Sequence, residues 1–223
     1  MAFWLLFLLL IFFFPVLIGP FLLFFLFLLL LIPLKFTLTS LTSLFSVPGE
    51  LYRIAKKPAL RKNHALEHAT INVLEELFPY EGLSGYAEED GFYILGVEDI
   101  SRVEKAAREG LERLSRGEKE LVIHDRCGTT ITAANLASAV IFLIILFTTG
   151  FFSIWTMLLA MGLANLVGPF LGRFLQTYVT TSHQVESVEI VSARYEIPRS
   201  GLLQGGGGKV FVETREVPFI ESR

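Results

Sequence analysis

T-T-G-F-F, residues 148 to 152, is the one turn signal inside an apolar run from Thr129 to Gly172 that carries no charged side chain between Ile131 and Leu171. A helix rises about 1.5 Å per residue and needs about 20 residues to cross a hydrocarbon layer of about 30 Å, so this run is long enough for two crossings. It reads as a tight transmembrane hairpin, with helices near 131–149 and 151–171. A hairpin returns to its starting side. The polar stretches 35–128 and 173–223 therefore share one face of the membrane and can assemble a single small α+β domain from two chain segments. Of the 19 Lys and Arg residues, 13 fall in the first stretch and six in the second, several of them close to membrane boundaries. The positive-inside rule places both stretches in the cytoplasm.

The composition agrees with membrane insertion. The chain has 223 residues, 52% hydrophobic, with 21 phenylalanines and a mean hydropathy of +0.57, too apolar for an ordinary soluble domain. One cysteine, Cys127, excludes an intramolecular disulfide and leaves a thiol free for other chemistry. No interleaving of basic and aromatic residues suggests nucleic acid.

Residues 1–34 form a further membrane segment. M-A-F-W-L-L-F lacks the basic start of a secretory signal, and the apolar run continues to Ile32, so it reads as a retained anchor. P-V-L-I-G-P, Pro15 to Pro20, interrupts it near the middle. The segment is either one kinked, tilted span or a re-entrant hairpin.

Between membrane segments, Phe36 to Val47 alternates apolar residues with Thr and Ser and suggests an interfacial helix. Residues 59–77 read as a helix ended by Pro79. Leu83 to Gly96 reads as a β-hairpin turning at Asp90-Gly91, a pair that tolerates positive φ. Residues 99–116 carry apolar positions along one helical stripe, and E-L-V-I-H, Glu120 to His124, reads as a short buried strand. Two more strands are expected at 187–197 and 209–217, joined by a loop containing Gly205 to Gly208. In the transmembrane hairpin, Asn135, Asn165, Gly162, Ala164 and Gly168 are expected to serve helix packing.

Chemistry concentrates in two short motifs. H-A-L-E-H places His64 and His68 one helical turn apart, where two imidazoles can grip one divalent ion, with Glu67 on the flank of the same site. H-D-R-C-G-T, His124 to Thr129, adds a third histidine and the cysteine at chelating spacing. The metal ligands are thus expected among His64, His68, His124 and Cys127, and the ion is zinc or another divalent transition metal. If all four bind, the site is closed and structural; if one position is open, Glu67 can activate a water there. Without a metal, Cys127 at a helix start beside an imidazole would be an activated thiol. His183 reads as a surface residue, and Asp125 and Arg126 as groups that orient the loop or meet lipid headgroups.

N-H-A-L-E-H-A-T-I followed by H-D-R-C-G-T resembles the YqhQ-like family of uncharacterised bacterial membrane proteins, which pairs an H-x-x-E-H-x-T helix with an H-x-R-C-G-T loop. Q-T-Y-V-T-T, Gln176 to Thr181, looks like that family's Q-x-x-x-T-T segment, and the likeness extends over roughly residues 60–185. It implies a bacterial inner-membrane protein with a shared metal site and no established reaction. Over five residues H-A-L-E-H also resembles inverted zinc peptidases, which implies His64 and His68 as zinc ligands and Glu67 as general base. The expected activity is a zinc-dependent, peptidase-like membrane hydrolase acting on a protein or peptide. The alternative is a non-enzymatic scaffold or interaction protein with a closed metal site.

Overall fold

A computed structural model describes residues 15–124, 126–150, 153–196 and 209–217, together with Trp4 and Phe7. Within them Pro15 opens a helix that continues for 41 residues to Ala55 (α1, Pro15–Ala55). The expected break at Pro15–Pro20 does not interrupt it, and Pro20 and Pro48 both lie inside. The sequence before Pro15 that would fold back in a re-entrant hairpin lies, Trp4 and Phe7 apart, outside the described residues. The separate interfacial helix expected at 36–47 is part of α1 as well. Its hydroxyls do not break the helix because they bond along it: Thr42 and Ser43 both donate to the Thr39 carbonyl, at 2.9 and 2.8 Å.

The rod ends where Pro58 forces Lys57 into an extended conformation and then occupies the first turn of α2 (Pro58–Leu77). Phe78, ahead of Pro79, is extended and stops that helix. A β-hairpin follows (β1, Ser84–Glu88; β2, Gly91–Leu95), then a helix capped by Asp99 (α3, Ile100–Ser115). The hairpin's two-residue loop is Glu89-Asp90, and no non-glycine residue among those described has positive φ. Gly91 serves space instead of φ, since a Cβ there would lie 2.2 Å from the Val212 carbonyl oxygen.

The strand expected at Glu120–His124 is a 3-10 turn, Lys119–Val122, leading into extended Ile123. Its carbonyls are taken by side chains of α2 in place of a neighbouring strand: Asn72 donates to Leu121 and Ile123, and His68 donates to Val122.

The apolar helical hairpin comprises α4 (Gly128–Thr149) and α5 (Ile154–Leu175). Gly150 ends α4 in the left-handed conformation, φ 69°, and Ser153 starts α5 with a reciprocal capping box to Thr156. Phe151 and Phe152 of the expected turn lie outside the described residues. The helices pack through small groups: a Cβ on Gly168 would stand 2.6 Å from that of Ala134, and one on Gly172 would stand 2.8 Å from Thr130 Oγ1. Ala164 is buried on the same stripe. Gly162 has nothing within 4 Å, and Asn135 and Asn165 are exposed, so these three expected packing residues face away from the partner helix. Together with the apolar stretch of α1, three helices among the described residues are long and apolar enough to cross a membrane.

After a π turn (Gln176–Thr180), the chain returns as β3 (Val188–Glu196) and β4 (Lys209–Glu216). The Gly205–Gly208 loop lies outside the described residues. Among the described residues four strands form one antiparallel sheet in the order β1-β2-β4-β3, so the pair from before the hairpin joins the pair from after it through β2 and β4 in one layer. α2 and α3 cover the sheet, crossing where Gly110 meets Ala69. The core includes Leu66, Val73, Phe92, Ile94, Val103 and Val212. The protein is thus mixed α+β and mostly helical, with α2 buried through its middle between the sheet, α3 and the entry to the α4–α5 hairpin.

Candidate metal centre

His64 and His68 project from adjacent turns of α2, their ring centroids 4.4 Å apart. Neither sits on a solvated face: His68 is fully buried and His64 nearly so. Each δ nitrogen faces a backbone carbonyl, His64 Nδ1 that of Thr180 at 3.0 Å and His68 Nδ1 that of Val122 at 2.5 Å. A carbonyl only accepts, so both protons belong on Nδ1 and both ε nitrogens present lone pairs. The two carbonyls come from the π turn after α5 and the 3-10 turn before α4, so the ring orientations are fixed by both ends of the α4–α5 hairpin.

Cys127 completes the group as the N-cap of α4. Its sulfur accepts from Thr129 N at 3.3 Å and lies 3.4 Å from His64 Nε2. One ligand atom from each of His64, His68 and Cys127 lies within 4.8 Å of the others, and the three could hold a metal ion. His68 Nε2 is buried without a hydrogen-bond partner, and so is Glu67 Oε2, which lies 3.9 Å from His64 Nε2. Buried polar atoms are nearly always bonded. Two such atoms beside a thiol and the imidazole nitrogen it faces fit the donor set of a borderline-soft divalent cation.

The electrostatics of this group are unfavourable to charge. Burial pushes the Glu67 carboxyl up to about 8, opposed by His64 and reinforced by Cys127. Burial, then the neighbouring His64, holds His68 well below its ordinary value. A cation among these groups would reverse both penalties.

His124 does not join this group. The H-D-R-C loop turns back on itself through Cys127 N bonding to the His124 carbonyl at 3.2 Å. This turn leaves the His124 ring 5.9 Å from the His68 ring by centroid, with its Nε2 3.9 Å from Glu75 Oε2. His124 instead lines a polar cavity of about 400 Å³ with Asn72, Glu75, Arg126 and Arg173. Arg126 Nη1 also donates to Glu75 Oε1, at 3.4 Å. Asp125 lies outside the described residues, and His183 is exposed.

A second cavity, about 230 Å³, reaches the three-donor group. His64, Glu67 and Cys127 line one side, and Arg53 of α1 with Gly85 and Ala87 of β1 line the other. Gly85 makes room for the carboxylate: a Cβ there would stand 2.8 Å from Glu67 Oε1. Sequence reasoning missed Gly85, the two orienting carbonyls and Gln176, whose side chain bonds both the N–H and the carbonyl of His124 at 2.9 and 3.1 Å. Gln176 and Thr180 do fall in the Q-T-Y-V-T-T stretch.

Residues 59–193 match the family described as a domain of unknown function (DUF6391). An uncharacterized protein of Picosynechococcus sp. (strain ATCC 27264 / PCC 7002 / PR-6) is 35% identical over 137 residues. That match covers 55% of this chain and 66% of the relative, just under two thirds of its length. No solved structure matches. The matched region contains His64, Glu67, His68, Cys127 and both helices of the α4–α5 hairpin, and the chain belongs to this uncharacterised DUF6391 family.

Proposed function

We propose that the protein is a zinc-dependent, peptidase-like hydrolase of the bacterial inner membrane, its α+β domain facing the cytoplasm and its hairpin and α1 embedded in lipid. One observation carries this reading. Two histidine ε nitrogens, the Cys127 sulfur and a buried carboxylate oxygen without a partner converge beside a cavity. Two imidazoles and one thiolate suit zinc and make a three-ligand set, the number that leaves a catalytic ion one open position. Bound there, zinc would supply Lewis acidity and lower the pKa of a water it holds. The residues do the rest. Thr180 and Val122 orient the ligand rings through their δ nitrogens. Glu67, 3.9 Å from His64 Nε2 and returned toward its charged form by a neighbouring cation, is placed to take the proton of the attacking water and deliver it to the leaving amine. The water oxygen joins the amide carbon, the C–N bond breaks, and the products are one carboxylic acid and one amine.

The alternative is a scaffold protein with a closed structural site. The same 3.9 Å approach of Glu67 Oε2 to His64 Nε2 favours it, because the carboxylate could serve as the fourth ligand.

Metal content and coordination separate these readings. The purified wild type should hold one zinc per chain, and Cys127→Ala and His68→Ala should lose it. Cobalt-substituted wild type should change its visible spectrum on addition of acetohydroxamate, which needs an open position. A spectrum that does not respond establishes the closed site; zinc below about a tenth of an equivalent removes both readings.

A further inference from the structure

We infer that the substrate is an extended peptide that adds to the sheet as a fifth strand along the free edge of β1, with its backbone laid across the Glu67 side of the metal centre. This inference rests on the hydrolase reading and names its substrate class.

Among the described residues β1 is an outer strand, paired on one side by β2 alone. The register fixes what its other side offers. The two-residue loop Glu89-Asp90 makes Glu88 and Gly91 the closing pair, which exchanges hydrogen bonds in both directions. Bonded pairs alternate from there, so Tyr86 bonds to Tyr93 and Ser84 to Leu95, while Ala87 and Gly85 turn their N–H and C=O groups outward. These outward groups lie at the two positions of β1 that are half-buried, and no hydrogen-bond partner is found for them among the described residues. Proteins ordinarily blunt such an edge or cover it.

This edge opens into chemistry. Gly85, Tyr86 and Ala87 line the same cavity as His64, Glu67 and Cys127. A backbone that paired with Ala87 and Gly85 would place its next amide beside the donor group, in the orientation that an adjacent strand imposes. Recognition through main-chain bonds is how strand-adding sites take peptides of varied sequence. The cavity, about 230 Å³, admits an extended backbone and excludes a folded domain. Its far wall is α1 at Glu50, Arg53 and Ile54, the polar end of a helix long and apolar enough to cross a membrane. The occupant therefore lies at the membrane boundary, consistent with a peptide segment next to a membrane span. Tyr86 also stacks on Tyr93 at 4.5 Å between centroids, which stiffens the edge strand.

The test uses the full-length, cobalt-substituted protein in detergent and two probes, acetohydroxamate and an N-acetyl tripeptide hydroxamate. The tripeptide should bind at least tenfold more tightly. N-methylating the tripeptide amide that would donate to the β1 edge should remove most of that gain and leave acetohydroxamate affinity unchanged. Ala87→Pro, which deletes an outward N–H and no ladder bond, should likewise weaken the tripeptide about tenfold while metal content and acetohydroxamate binding stay at wild-type values. Equal affinity for the methylated and unmethylated peptides in wild type overturns strand addition while leaving the hydrolase reading in place. Failure of acetohydroxamate itself to perturb the cobalt spectrum overturns the hydrolase reading, and this inference with it.

Discussion

Gly85 stands directly against Glu67: a Cβ on Gly85 would lie 2.8 Å from the carboxylate Oε1, 2.9 Å from Cγ and 2.4 Å from the Tyr93 carbonyl oxygen. Two of those neighbours belong to a side chain and one to the backbone of β2. Gly85→Ala should therefore cost about 1–3 kcal/mol of stability, the range for forcing extra volume into a packed site. Adding Glu67→Ala should recover part of the loss and no more, because the Tyr93 carbonyl is held in the sheet. Denaturant unfolding of the two single variants and the double variant measures this. Full recovery would mean that Glu67 alone sets the size limit at position 85.

A pH prediction follows from the opposed shifts of Glu67 and His68 in the metal-stripped protein. Glu67 is raised from 4.5 to about 8 on folding, so its contribution is fully present below 4.5 and lost as pH rises through 8. His68 is lowered from 6.5, so its contribution is present above 6.5 and lost as pH falls through the folded value. Between pH 6.5 and 8 only Glu67 acts of the two. Stability should fall with rising pH there by at most about 2 kcal/mol, at about 1.4 kcal/mol per unit. Glu67→Gln should flatten that slope. Restoring zinc should reverse it, since metal binding releases ligand protons. Thermal unfolding with and without chelator at three pH values in this window supplies the comparison.

The legible parts of this fold were those written in local chemistry. Gly150 between two apolar runs marks the turn from α4 to α5, Pro58 and Pro79 bound α2, and the i, i+4 spacing of His64 and His68 places both rings at one point. What was not legible depended on partners distant in sequence. E-L-V-I-H has the composition of a strand, but Asn72 and His68 claim its carbonyls from 49 to 54 residues away, and that competition is invisible in a window of five residues. Phe36–Val47 looked like a separate helix because its hydroxyls suggest an interface; their bonds back to Thr39 make them neutral to helix continuation. His124 and Cys127 share a motif, yet one tight turn sends only the cysteine to the other two donors. Spacing marks His64, His68, His124 and Cys127 as candidate donors, and the turn brings Cys127 beside the two α2 rings while His124 faces Glu75.

Within the α4–α5 hairpin the glycines are not equivalent. A side chain at Gly172 would meet Thr130 at 2.8 to 2.9 Å, including its Cα, whereas one at Gly162 would meet nothing within 4 Å. Gly172→Leu should split the helices at the end that carries Cys127, reduce the unfolding temperature and, on the proposed zinc site, lower zinc occupancy. Gly162→Leu should leave both unchanged to within about 0.5 kcal/mol, as expected for an exposed position. Parallel zinc determination and thermal unfolding of the two variants decides this, and equal damage from both would contradict the packing described for α4 and α5.

Gln176 ties the loop that carries Cys127 to the end of α5. Its Oε1 accepts from His124 N at 2.9 Å, and its Nε2 donates to the His124 carbonyl at 3.1 Å and to Thr130 Oγ1 at 2.7 Å. The side chain is fully buried, so removing it leaves a buried N–H and a buried carbonyl with fewer partners, at about 1–3 kcal/mol for the unsatisfied groups. The larger consequence concerns the metal. Gln176 begins the π turn whose last residue, Thr180, orients His64 through its carbonyl, and it clamps the residue from which the chain turns to Cys127. One side chain thus supports two of the three donors without touching an ion. Gln176→Ala should weaken zinc binding about 10–100-fold, the range for groups that orient ligands. Gln176→Glu should fall between wild type and alanine, since the carboxylate can still accept from His124 N but cannot donate to its carbonyl unless protonated. Competition with a chromophoric chelator gives the affinities. Wild-type zinc affinity in the alanine variant, with only stability reduced, would show that the loop holds Cys127 in place unaided.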